Sequence, residues 1–185
     1  MLEINPIPLK GAALIKTNPF YDERGIFTRF FCQKELSSLL GNRSIVNINF
    51  STTTSTGAIR GLHYQQAPMC EVKLIRCIKG AVFDVMVDIR KGSSTFLQWF
   101  GQELNEKSKD MLYLPEGFAH GFQVLEDNSE LIYLHTEFYS SEHERGLSPF
   151  DPALSIQWPL KVHTLSQRDR EFKPINVATY EGINL

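Results

Sequence analysis

In "AIRGLHYQ", Ala58 to Gln65, an arginine, a glycine and a histidine sit inside a run that otherwise reads as a β-strand. Imidazole is the side chain whose ordinary pKa lets it take and return a proton near neutral pH. A nearby guanidinium supplies a fixed positive charge. Strand alternation points Arg60, Leu62 and Tyr64 to one face and Gly61, His63 and Gln65 to the other. His63 is therefore either a proton-transfer group at the rim of a site or a structural histidine satisfied within a sheet. His120, in "PEGFAHGF", follows a turn shaped by Pro115 and Gly117 at the mouth of a strand, where ligand-facing groups are common. His135 and His143 read as exposed or structural, and His163 near the C-terminal end has no supporting pattern.

Other chemistries find little footing. There is no G-x-S-x-G elbow, no G-x-G-x-x-G turn and no Walker A segment, so serine hydrolase, Rossmann and P-loop readings lack support. Metal sites in β-barrels of this size often use a His-x-His pair with a following carboxylate; here the spot reads His63-Tyr64-Gln65, and no metal site is expected. Cys32, Cys70 and Cys77 form no C-x-x-C pair, and their odd number suits free thiols in a reducing compartment. What remains is acid–base work by His, Tyr, Asp and Lys.

The elements that must position such groups are mostly strands. Short β-like runs recur between turn signals, the pattern of a sandwich or barrel of antiparallel strands. "GAALIKTNPF" comes first, and "DERG" turns the chain into "IFTRFF". Leu36, Leu39 and Leu40 recur at helical spacing and predict a helix over Gln33 to Leu40, with Gly41 as its C-terminal cap. "EVKLIRCIKGAVFDVMVDIRKGS" reads as a hairpin turning at Lys79-Gly80. In its second arm Phe83, Val85, Val87 and Ile89 form a buried face and Val82, Asp84, Met86 and Asp88 a mixed one. In its first arm Lys73 shares a face with Ile75 and Cys77. Two strands flank the Glu126-Asp127-Asn128 turn, "DPALSIQWP" predicts a short strand ended by Pro159, and "TLSQRDREF" predicts a short helix capped by Ser166.

At 185 residues, with no internal repeat or linker, the chain is expected to form one domain over 1–185. Its 42% hydrophobic and 22% charged content excludes disorder as the main state, and 13 Phe suit a β-rich core. A formal charge of -2 provides no field favouring nucleic acid, so any anionic ligand must be held by local Arg and Lys. No basic, then apolar leader opens the chain and no run approaches a membrane span, so a cytoplasmic protein is expected, with no membrane partner.

Read together, "NPFYDERGIF", "GAIRGLHYQ", "KLIRCIKGAVFDVMVDIRKGSSTF", "LYLPEGFAHGFQVLED", "ELIYLHTEFY", "DPALSIQWP" and "LSQRD" resemble, in this order, the dTDP-4-dehydrorhamnose 3,5-epimerase family. The resemblance covers nearly the whole chain. It implies an all-β cupin fold, a jelly-roll barrel with few helices, that forms a homodimer and uses no metal or organic cofactor. The implied substrate is a nucleotide-linked 4-keto-6-deoxyhexose. On matching positions the resemblance makes His63 the general base, Asp169 the group that orients its imidazole, Lys73 the charge beside the C4 oxygen, and Tyr133 the acid on the opposite face. Arg60 and His120 become substrate contacts and Arg24 a diphosphate contact, reaching across from a partner subunit in one arrangement. Phe27, Asn49, Gln65 and Tyr139 complete the implied substrate-binding set.

The chain departs from the family pattern in places. Arg29 in "GIFTRF" stands where many members carry glutamate, and Asn47 in "NINFS" replaces a usual glutamine. Phe138 precedes Tyr139 where a tyrosine is common, and Leu134 replaces a frequent lysine. The nucleotide base therefore stays open among dTDP, CDP and GDP, as does inversion at C3, at C5 or at both. A sugar-nucleotide-binding cupin without turnover is the alternative outside catalysis.

Overall fold

A computed structural model describes residues 1–185. The strands are β1 (Leu2–Pro6), β2 (Ala13–Thr17), β3 (Phe20–Asp22), β4 (Gly25–Phe27), β5 (Asn47–Thr53), β6 (Ile59–Gln65) and β7 (Lys73–Lys79). They continue with β8 (Ala81–Asp88), β9 (Trp99–Asn105), β10 (Met111–Leu114), β11 (Phe118–Val124), β12 (Ser129–His135) and β13 (Glu144–Gly146). Two short helices, α1 (Ser37–Leu40) and α2 (Gln167–Arg170), complete the set. Six strands form one sheet in the order β1-β2-β10-β7-β12-β5, and five form a second in the order β13-β6-β11-β8-β9. β3 and β4 pair as a separate two-stranded arm. The sheets pack as a jelly roll, as the all-β cupin expectation requires.

Three apolar layers hold the sheets. Between them lie Ile75, Cys77, Val82, Met86, Leu104, Leu112, Phe122 and Leu131. On the outer face of the six-stranded sheet, Ile15, Leu74, Met111 and Leu134 pack against Leu36 and Leu40. On the outer face of the five-stranded sheet, Leu62, Val85, Val87 and Ala119 lie under Leu147, Leu154 and Ile156. Central strands are therefore covered on both sides. Leu36 and Leu40 are each 0% exposed, and full burial of such a side chain contributes about 1.5–3 kcal/mol.

This two-sided covering changes several sequence expectations. Both faces of β8 are buried, and its mixed face turns inward between the sheets, carrying Asp84 with it. β7 and β8 do not form a hairpin: β7 pairs with β10 and β12, whereas β8 pairs with β11 and β9. Gly80, at φ +71°, makes the corner where the chain changes sheets, and a Cβ there would lie 2.5 Å from Ser129 Oγ. That hydroxyl accepts from the Ala81 N–H at 3.1 Å and pins the corner. The 111–135 region holds a third strand, β10, separated from β11 by Pro115 to Gly117.

The helix expected from Gln33 narrows to one turn at Ser37–Leu40. The residues before it form turns, with the Leu36 N–H donating to the Cys32 carbonyl at 3.1 Å, and the N-cap, Leu36, makes no side-chain cap hydrogen bond. Gly41 does end it, at φ 58°. "DPALSIQWP" forms no strand. The buried Asp151 carboxylate accepts from the Ala153 and Ile175 N–H groups and curls the segment into turns, while Leu154 and Ile156 plug the outer face. At α2, Ser166 Oγ accepts from the Asp169 N–H at 3.0 Å, the cap read from the sequence.

Candidate active site

One cavity of about 530 Å³ opens between the sheets. His63, Arg60 and Gln65 reach it from β6, His120 from β11, Lys73 from β7, Tyr133 from β12, Asn49 from β5, and Asp169 from α2; Tyr139 stands beside it. Arg60 and His63 share this cavity instead of pointing to opposite faces. The β6–β11 register slips, pairing His63 with His120 but Arg60 with Phe122, so an extra residue on β6 reverses the alternation between them. Gly61 occupies the slip at φ +114°, and a Cβ there would come 2.6 Å from Gly121 Cα.

His63 Nε2 lies 2.7 Å from Asp169 Oδ1, and Asp169 Oδ2 accepts from the Gly61 N–H at 3.1 Å. Asp169 is 3% exposed. Burial pushes its carboxyl up, but the bond and charge of His63, the Gly61 N–H and Ser166 together outweigh it and hold the group below the usual carboxylate range. A carboxylate accepts only, so Nε2 carries a proton, and in the neutral imidazole the lone pair then lies on Nδ1. Phe172 packs edge-on against the imidazole at 6.1 Å.

Tyr133 comes from the opposing sheet. Its hydroxyl lies 2.9 Å from Ser51 Oγ. Burial drives its pKa well up, only partly offset by Ser51, so the phenol stays protonated. Its ring meets His120 edge-on at 6.2 Å and stacks on His135 at 6.3 Å. His120 Nε2 sits 3.0 and 2.9 Å from the two oxygens of Asp84, which is 0% exposed. Burial raises the Asp84 carboxyl against the pull of His120 and Lys73. Lys73, 8% exposed, places Nζ 3.1 Å from Glu71 Oε1 and 3.5 Å from the His63 carbonyl.

Arg60, Gln65 and Tyr139 also line the cavity, each tied to a neighbour, whereas Arg24 and Phe27 do not. Arg60 donates from Nε to Thr53 Oγ1 at 2.8 Å. The Gln65 amide is committed to the Met69 and Phe138 carbonyls and the Ser140 N–H, so it braces the wall. Tyr139 donates to Glu144 at 2.8 Å. Arg24 and Phe27 lie outside the cavity on the β3–β4 arm, with Phe27 77% exposed and Arg24 paired to Asp22. Among the departures, Asn47 lines the cavity, whereas Arg29 pairs with Glu35, Leu134 belongs to the outer core and Phe138 is exposed.

The sequence reading overlooked three members. His135, expected to be exposed or structural, is buried and lines the cavity, and its Nδ1 lies 2.8 Å from Glu71 Oε2. A signal existed, since it follows Tyr133 by two residues on one strand and must share its face. Asp84 was equally legible, as the carboxylate on the mixed face of β8. Glu71 sits between strands, and no pattern marks it. Three histidines thus face the cavity, each paired with a carboxylate, Asp169 and Glu71 on the wall and Asp84 buried behind it, yet no three ligand-type side chains converge on one point. The arrangement can take a proton at one wall, give one from the other, and hold negative charge beside an ammonium between them.

The model of the dTDP-4-dehydrorhamnose 3,5-epimerase family matches residues 6–176. A dTDP-4-dehydrorhamnose 3,5-epimerase of Shigella flexneri is 46% identical over 151 residues, covering 81% of this chain and 83% of that protein. The dTDP-6-deoxy-D-glucose-3,5-epimerase of Legionella pneumophila, solved in complex with dTDP-4-keto-L-rhamnose, superposes with a TM-score of 0.91 at 38% identity, over 100% of this chain and 98% of that one. The dTDP-4-dehydrorhamnose 3,5-epimerase of Bacillus anthracis, solved with TDP and PPi bound, gives a TM-score of 0.91 at 37% identity, over 95% and 100%. The chain belongs to the dTDP-4-dehydrorhamnose 3,5-epimerase family.

Proposed function

We propose that this protein is an isomerase that inverts C3 and C5 of a dTDP-linked 4-keto-6-deoxyhexose. The C4 ketone makes the hydrogens on both neighbouring carbons acidic, because the electrons left behind delocalise onto oxygen as an enolate. His63 Nδ1 takes the proton, and Asp169 stabilises the imidazolium that forms. Lys73 stabilises the charge gathering on O4. Tyr133 then protonates the carbon from the opposite face; its phenolate regains a proton from solvent and His63 releases one. Arg60, His120, Asn49, Gln65 and Tyr139 surround the substrate. The reading is carried by one observation: a carboxylate-bound imidazole and a protonated phenol approach one cavity from opposing sheets.

A homodimer and a cytoplasmic location belong to the same proposal. β5 is an unpaired sheet edge with Ile48 and Phe50 64% and 58% exposed, and the β3–β4 arm exposes Phe20 and Phe27. Apolar edges of this kind seek a second chain. In such a dimer the arm delivers Arg24 and Phe27 to the partner's cavity. Three free cysteines suit a reducing compartment, and no helix is long and apolar enough to cross a membrane.

The test is turnover in heavy water with dTDP-, CDP- and GDP-linked substrates side by side. Deuterium entering both carbons of the dTDP-linked sugar, with a loss of about 100-fold or more in His63→Asn, is the expected result. Binding without any label would leave only a sugar-nucleotide-binding cupin, and label at one carbon would mark a single-centre epimerase.

A further inference from the structure

Lys73 is held by a polar chain that the mechanism above does not use. Glu71 places one carboxylate oxygen 3.1 Å from Lys73 Nζ and the other 2.8 Å from His135 Nδ1. His135 Nε2 meets Asn49 Nδ2 at 3.4 Å, and all four residues line the cavity. Because the carboxylate only accepts, His135 donates from Nδ1, which fixes its tautomer and leaves Nε2 toward Asn49. Burial pushes the Glu71 carboxyl up, but Lys73 and His135 outweigh it and keep it ionised.

The chain does not serve to pin the backbone. Glu71 spends both oxygens on side chains. Its segment is anchored independently: the Val72 N–H donates to Thr136 Oγ1 at 2.9 Å, the Thr136 N–H to the Val72 carbonyl at 3.2 Å, and Gln65 Nε2 to the Met69 carbonyl at 3.0 Å. Lys73, by contrast, has a flexible stem and otherwise only a 3.5 Å hydrogen bond to the His63 carbonyl; Asp84 attracts it through space but is bonded to His120, so Glu71 is the one carboxylate in contact with Nζ. A nearly buried ammonium without a counter-charge is costly, so the direction of this ion pair decides where Nζ rests.

We propose that Glu71 and His135 are positioning residues: Glu71, oriented by His135, aims the ammonium of Lys73 at the C4 oxygen and thereby acts on the chemical step. This rests on the epimerase reading. It assigns His135 a task through its neighbour, not contact with the reacting atoms. The stacked Tyr133 ring keeps the imidazole in register with the group assigned as acid.

A double-mutant cycle on the full chain tests it, using turnover and solvent deuterium incorporation with the dTDP-linked 4-keto-6-deoxyglucose. Glu71→Gln is expected to lower kcat about 10- to 100-fold, the scale of a misplaced group, with KM within about twofold. His135→Gln should lower kcat about 3- to 10-fold, because Glu71 keeps its bond to Lys73. In a Lys73→Ala background each change should cost less than about twofold, since the group acted upon is gone. Losses that multiply independently of Lys73, or that fall on KM or melting temperature alone, overturn the proposal. Should Glu71→Gln fail to fold, the His135→Gln and Lys73→Ala cycle decides it by the same criterion. Wild-type protein that incorporates no deuterium refutes the epimerase reading; active wild type with an additive cycle refutes this inference alone.

Discussion

Replacing Asp169 by asparagine leaves side-chain volume nearly unchanged and removes one charge from a site that is 3% exposed. The native carboxylate serves two donors, His63 Nε2 at 2.7 Å and the Gly61 N–H at 3.1 Å. An amide has one acceptor oxygen for both. With that oxygen kept on Gly61, the NH₂ group faces Nε2, which must then accept, and the ring proton moves to Nδ1, the nitrogen that should remove the substrate proton. The charge effect is separable. Unit charges about 4 Å apart attract by about 4 kcal/mol at an effective dielectric of about 20. The imidazole is 32% exposed, and screening reduces this to about 2–3 kcal/mol, or roughly 30- to 150-fold in rate. Loss of the right tautomer adds to that, so kcat should fall about 10² to 10⁴-fold. Deuterium incorporation followed by NMR, with melting temperature and KM in parallel, makes the measurement. A folded Asp169→Asn protein turning over within about threefold of wild type would refute the proton-transfer assignment of His63.

Tyr133→Phe should slow inversion about 100-fold while leaving deuterium exchange on the His63 side measurable, because abstraction survives loss of the acid; NMR of the labelled product distinguishes the two, and equal loss of both argues against separate roles. Phe50→Asp, on the exposed β5 edge, should convert a dimer of twice the 21.2 kDa chain to monomer in sedimentation equilibrium; a wild-type monomer removes the proposed role of Arg24 and Phe27. Asp88 predicts an acid-sensitive fold. Burial pushes its carboxyl up, but Arg90, Ser93 and Thr95 outweigh that and hold it below the usual carboxylate range. Its folded pKa being depressed, this stabilisation is present above the unfolded value near 3.9 and is lost as pH falls through the folded value. Thermal melts should therefore drop below about pH 4 in wild type and drop less steeply in Asp88→Asn, other depressed carboxyls, Asp169 and Glu71 among them, still contributing; parallel curves would contradict this.

Local signals served well where a residue's neighbours in sequence decide its conformation. Gly41 ends α1, Ser166 caps α2, and Asn128, at φ 58°, closes the turn before β12. They misled where distant contacts compete. Lys79-Gly80 resembles a hairpin turn, yet each flanking strand finds its partners elsewhere and the corner changes sheets. "DPALSIQWP" alternates like a strand, yet the Asp151 carboxylate captures two N–H groups and uses the apolar residues as plugs.

By itself the sequence determined that this is a β-protein, through alternation and turn residues. The resemblance carried by its ordered motifs also pointed to His63, Lys73, Tyr133 and Asp169, four residues that line one cavity. The His63–Asp169 pairing, implied by the resemblance, spans 106 positions, and only the tertiary structure set its 2.7 Å geometry and turned Arg60 and His63 to the same cavity. It alone brought Glu71 and His135 together behind Lys73. The reason is physical: periodicity along a chain encodes which side of a strand is covered, whereas register, sheet order and the meeting of remote polar groups are set by burial shared among strands far apart in sequence.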